Sequence, residues 1–232
     1  MKAAEIKSEL RRLMTDALSS HGFRPGGFKS VRLGWHLDVV PGVTGLVALQ
    51  SVAGAGSVEV VPTIHVRHGA IDRRIQLATE SREPTSVLAC PIGDLPGAPR
   101  VVDWQFSATL RHTDGLEQLV GGRRVATDRG IQRLRAQDGR AVVEEIVKLI
   151  DDLGIPYMRK HATLPAIRDR QLATNYRDCP AMEWVWPALL LELGDVEAAR
   201  TFLEDHIRRF NRRPDSSYAT FARNLLAQAT SA

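Results

Sequence analysis

The sequence predicts an α+β protein: an N-terminal helix packed on an antiparallel β-meander, followed by an all-helical C-terminal half. Three observations predict it. Apolar residues recur at helical spacing over residues 3–21. They form four strand-like runs between residues 30 and 111, alternating with polar residues in all but the second, and return to a period near 3.6 after residue 112. At 232 residues, with 44% hydrophobic and 25% charged, the chain can bury a core without disulfide or metal staples. The patterning divides it into an α+β meander domain over residues 1–112 and a helical region over 113–232. No linker stands out at 113–138, so the two are expected to pack as one compact unit.

Each element has its own warrant. Ile6, Leu10, Leu13, Met14, Ala17 and Leu18 form one face of a helix. Gly22 follows where a left-handed residue ends a helix at little cost, and Phe23 is then placed to cover Leu18. Val31, Leu33, Trp35, Leu37 and Val39 alternate with polar neighbours, which is the pattern of a half-buried antiparallel strand. Pro41-Gly42 is a turn pair. Residues 44–52 are apolar on both faces and predict a central strand. In the third run Val58, Val60, Pro62, Ile64 and Val66 share a face. Pro62 cannot donate to a ladder, which predicts an edge or a bulge. Residues 70–82 fit either a short helix or a strand, and residues 83–99, rich in proline and glycine, read as a loop. Val102, Trp104, Phe106, Ala108 and Leu110 mark a fourth strand.

Helices are expected beyond residue 112. Asp114 with Glu117 resembles a capping box opening a short helix that Gly121-Gly122 ends. Asp138 caps a helix over 139–153, which Gly154 and Pro156 stop. Further helices are predicted over 163–175, 180–193, 195–210 and 216–229, with a kink at Pro187. Gly194-Asp195 makes a tight joint, glycine ending one helix and aspartate capping the next. The segment PALLLELGDVEAARTFLEDHI is similar to one helix-turn-helix unit of a tetratricopeptide array. It equally suits an ordinary helical hairpin.

Composition excludes some roles. No stretch approaches the ~20 apolar residues of a bilayer span, and the N-terminal MKAAEIKSELRR has no apolar signal-peptide core. A cytoplasmic protein without membrane association is expected. Cys90 and Cys179 lie far apart and form no metal-binding spacing, consistent with two reduced thiols. The net charge of +4 is mostly local: residues 121–140 hold six arginines against two aspartates. Scarce lysine and abundant arginine are consistent with a bacterial genome rich in G and C.

Few residues suggest chemistry. There is no GxSxG, Walker loop, HExxH or dinucleotide fingerprint, and no catalytic residue, metal ligand set or cofactor is predicted. His65 and His68 invite a metal reading, but residues three apart on a strand face opposite ways. If the first and third strands are neighbours, Arg32, His36, His65 and Arg67 share a polar sheet face able to bind an anion or an acidic partner. A solvated or helix-covered face fits the same pattern. Arg123, Arg124, Arg129, Arg133 and Arg135 could contact phosphates of a nucleic acid, or simply form the wet face of a helix whose apolar side holds Ile131 and Leu134. An enzyme reading would use His36 or His65 as general base. Trp184 and Trp186 point to different sides of a helix, so one could serve an interface.

The helix closed by Gly22-Phe23, followed by a meander whose second strand reads LVALQ (46–50), resembles a bacterial family known as domain of unknown function 4304. The likeness covers roughly residues 1–112. It brings no active site to transfer. Small α+β domains of this kind often resemble immunity proteins, which bind a toxin without doing chemistry. The resemblance therefore implies a non-enzymatic, immunity- or antitoxin-like factor whose partner is another protein.

Overall fold

A computed structural model describes residues 2–26, 33–54, 56–79, 85–99, 101–110, 117–127, 130–133, 137–210, 213 and 216–230. At 101–102, 108–110, 117, 125–127, 130–133, 137 and 229–230 it describes the backbone course alone. Helix α1 (Ala3–Ser19) buries Ile6, Leu10, Met14 and Leu18 completely. Gly22 has φ +82°. Phe23 N–H donates to Leu18 O at 3.2 Å and Gly22 N–H to Ser19 O at 3.0 Å, the paired bonds of a Schellman ending. The predicted Gly-Phe closure is therefore present.

Among the described residues nine strands follow: β1 (Arg24–Pro25), β2 (Gly34–Val40), β3 (Val43–Ala53), β4 (Ser57–His68), β5 (Leu88–Pro91), β6 (Val101–Leu110), β7 (Glu117–Thr127), β8 (Gly130–Arg133) and β9 (Gln137–Asp138). They join in the order β1-β2-β3-β4-β6-β7-β8, with β5 on β4 and β9 on β7. The doubly apolar β3 is internal, as its pattern predicts. β4 is internal too, which corrects its placement at an edge. Its register with β6 runs from Ser57↔Ser107 to Val60↔Trp104, so Pro62 lies just past those bonds and costs that ladder nothing.

Helix α2 (Gly69–Thr79) resolves the ambiguity over 70–79, and residues 80–82 lie outside the described residues. It buries Ile71, Asp72, Ile75 and Ala78, a helical period that also reads as alternation over a few residues. The stretch expected to be loop contains β5.

The class is α+β as predicted, but the helices begin later. Asp114 lies outside the described residues, and 117–127 is strand β7 rather than a capped helix. Gly121 does not end a helix. A Cβ there would sit 3.0 Å from Phe106 Cε1 and from Val142 Cβ. The missing side chain is what lets α3 (Gly139–Leu149) lie close on β7. Asp138 caps α3 by accepting from Arg140 N–H at 2.8 Å.

Gly154 and Pro156 do not stop the chain either. It passes through a π-helical turn (Ile150–Gly154) directly into α4 (Ile155–Lys160), with Pro156 the second residue beyond that turn. Gly154 has the same use as Gly121, because a Cβ on it would lie 2.9 Å from Ile64 Cδ1.

Helices α5 (Leu164–Ala173), α6 (Met182–Glu192), α7 (Val196–Arg209) and α8 (Ser217–Thr230) complete the chain. Two compact units interleave along it: Met1–Leu37, Gly45–Ile64 and Cys90–Met158 form unit 1, and Asp38–Thr44, His65–Ala89 and Arg159–Ala232 form unit 2. In unit 1, α1 and α3 pack together and α3 lies on β7. In unit 2, α2 packs on α6 and α8, α6 on α5 and α7, and α7 on α8.

The α6–α7 joint is the predicted one. Gly194 has φ +82° and the Asp195 carboxylate accepts from Ala198 N–H at 3.2 Å. Pro187 lies inside α6 and lacks the N–H that would bond Glu183 O. That carbonyl accepts instead from Tyr218 Oη–H at 3.2 Å. We predict that Tyr218→Phe lowers stability by about 1 kcal/mol. Pro187→Ala restores the donor, so the loss should shrink in that background. Urea midpoints of the double-mutant cycle give the answer, and an unchanged loss would mean that the hydroxyl does not substitute for the missing N–H.

Candidate binding groove

The four residues expected to share a sheet face are not gathered as predicted. Arg32 lies outside the described residues. β3 stands between β2 and β4, so the strands carrying His36 and the His65–Arg67 pair are not neighbours. His36 is half-buried opposite Arg24 of β1, its ring lying over Gly26. The outer polar face of unit 1 comes from other strands. Gln105 of β6 donates to Glu59 of β4 at 2.6 Å, and Arg124 of β7 forks onto Asp103 with Nε 2.8 and 2.9 Å from its two oxygens.

His65 and Arg67 belong to a polar cluster inside unit 2. His65 Nδ1 meets Ser86 Oγ at 3.0 Å, both residues buried. Burial pushes the His65 imidazole down to about 4, so it is neutral at pH 7. Arg67 Nη2 donates to Asp72 Oδ2 at 2.9 Å, and Thr85 N–H donates to Asp72 Oδ1 at 2.7 Å. Gln171 of α5 donates to Val87 O at 2.9 Å, and Ala89 N–H donates to Asp178 O at 2.8 Å. These contacts pin residues 85–89 between β4, α2 and α5. A general base must reach its substrate, and His65 is enclosed against a serine of its own chain.

The described residues of the arginine-rich run up to Asp138 are strand, in β7, β8 and β9. Arg123 pairs with Glu145 of α3, and Arg124 pairs with Asp103 and Glu59, so both are matched by internal carboxylates. Arg129 and Arg135 lie outside the described residues, and Arg133 is known only as a position on β8 opposite Arg124. Trp184 packs on Phe221 with ring centroids 4.4 Å apart, and Trp186 packs on Tyr176 at 5.0 Å. Burial raises the Cys179 thiol to about 12, far from a thiolate nucleophile. Among the described residues, no three His, Cys, Asp or Glu gather to hold a metal ion.

An open groove of about 560 Å³ lies on unit 2, lined by residues of α2, α6 and α8, among them Arg73, Arg74, Leu77, Glu192, Asn224 and Gln228. Arg73 and Leu77 stand four residues apart on α2 and so share a helix face. Leu77 is 65% exposed, although it sits in a well-packed helix. Arg73 is exposed and has no carboxylate partner among the described residues. Arg74 pairs through Nε with Glu192 of α6. Two amides hold the groove's other wall. Asn224 of α8 donates to Ala78 O at 3.1 Å, satisfying a last-turn carbonyl of α2, and Gln228 donates to Arg74 O at 3.3 Å.

No family model, curated protein or solved structure matches the chain. The groove is therefore a candidate on its geometry and chemistry alone. Sequence reasoning missed it because Arg73 and Leu77 fall in the segment left between helix and strand. A single exposed leucine is also ordinary on protein surfaces.

The buried cluster gives a pH signature. His65 is depressed from 6.5 to about 4, and burial lowers His68 and His161 as well. The unfolded chain then binds more protons between about pH 6.5 and 4, so stability falls as pH drops through that window. A shift of this size on His65 corresponds to at most about 3 kcal/mol. Urea unfolding across that range should show the loss, and His65→Gln should flatten part of it. An equally steep loss in the variant would remove His65 from the account.

Proposed function

We propose that this chain is a non-enzymatic protein-binding factor that engages its partner through the α2–α6–α8 groove of unit 2. The observation that carries the reading is the juxtaposition of an exposed leucine and an exposed arginine without a carboxylate partner, on one face of a rigid helix beside an open groove. Arginine is enriched at the centres of protein interfaces, and the exposed leucine beside it adds apolar area for a partner to bury. The sequence-based alternatives draw less support. Arg123 and Arg124 of the nucleic-acid reading are matched by internal carboxylates, and of the two candidate bases, His36 and His65, the second is buried against Ser86. An immunity- or antitoxin-like role belongs to the same class of function and rests on the resemblance described above.

The test uses the full chain with a photo-crosslinking residue in place of Leu77, expressed in its native host. One protein should crosslink in stoichiometric yield, and it should copurify with the wild-type chain. The Arg73→Glu/Leu77→Asp variant should keep its thermal unfolding midpoint and lose that protein by at least tenfold. Undiminished binding by the variant would sink the proposal.

A further inference from the structure

We infer that the groove's occupant is an acidic amphipathic helix, about 11–14 residues long, with a carboxylate on Arg73 and an aliphatic side chain on Leu77. The inference rests on the protein-binding reading and names the partner's chemistry.

Shape comes first. α2 has 11 residues and α8 has 14, and the two pack against each other. At ~1.5 Å per residue they present a valley about 16–21 Å long. A third helix laid along a helix pair fills such a valley with side chains spaced at i, i+3, i+4 and i+7. Arg73 and Leu77 stand one turn apart along the same wall, matched to anchors one turn apart on the occupant.

Charge decides the sign. Arg73 has no carboxylate partner among the described residues, and Arg74 uses only its Nε on Glu192, leaving its Nη groups available. Two guanidinium groups thus face one carboxylate. A guanidinium offers a planar fork that carboxylates match in two bonds. Ala70, Leu77 and Ala227 line the groove with apolar surface, which a polyphosphate backbone would leave unfilled but a helix with leucine-type anchors would cover.

The test is a set of three helix-stabilised 14-residue peptides, identical except that the polar positions beside the leucines are all Glu, all Gln or all Lys. Amide shifts of the isotope-labelled full chain report binding. The Glu peptide should shift amides at 70–77 and 224–228 and bind at least tenfold more tightly than the Gln peptide. Arg73→Glu should reverse the preference toward the Lys peptide. Equal binding of Glu and Gln peptides, shifts elsewhere, or no binding by any of the three would overturn the inference. If the crosslinked native partner still requires Arg73 and Leu77, the protein-binding reading survives that result. If it does not, both fall.

Discussion

A buried carboxylate organises unit 2. Asp72 is only 7% exposed, yet it accepts from Arg67 at the end of β4 and from the backbone of Thr85. A buried carboxylate without such donors is costly, so the three pieces of chain that supply and carry these groups must stay together. One of those pieces is α2, which presents Arg73 and Leu77 on its other side. The placement of the groove thus depends on a polar contact that the groove's occupant would never touch.

This separates two kinds of polar residue. His65, Ser86, Gln171, Asp178 and Asp72 are buried and bonded to their own chain, and they act as scaffold. Among the described residues, Arg73 has no carboxylate partner, and Arg74 bonds Glu192 through its Nε. Unit 1 shows the scaffold pattern on its sheet, where Asp103, almost fully buried, is held by the Arg124 fork. Arg124 of the arginine-rich sequence is placed there by cross-strand pairing, since Asp103 and Arg124 are register partners on β6 and β7.

Elements were legible where one residue type had one physical use. Gly22-Phe23 and Gly194-Asp195 each require a left-handed residue followed by a specific contact, and both joints are as predicted. The doubly apolar run of β3 could only be internal. Glycine misled where its use was space. Gly121 and Gly154 have the local pattern of stops, but each admits a neighbour, Val142 or Ile64, into the volume of a Cβ. No local pattern distinguishes a glycine that ends a helix from one that a distant side chain presses against. The proposed polar face failed for a related reason: residue alternation fixes which side a side chain takes, whereas strand order decides its neighbours. β3 intervenes between β2 and β4, and that is a property of the whole sheet. The groove was illegible because its anchors become neighbours of α8 only through tertiary packing.

The most direct measurement of the division between scaffold and binding surface is hydrogen exchange on Asp72→Asn beside the wild-type chain. Loss of the charge weakens the grip on Arg67 while Asn can still accept from Thr85 N–H. The account predicts at least tenfold faster exchange at α2 amides and at 85–89, with partner affinity falling as α2 loosens. Wild-type protection of α2 together with lost partner binding would contradict it, since Asp72 would then belong to the binding surface itself.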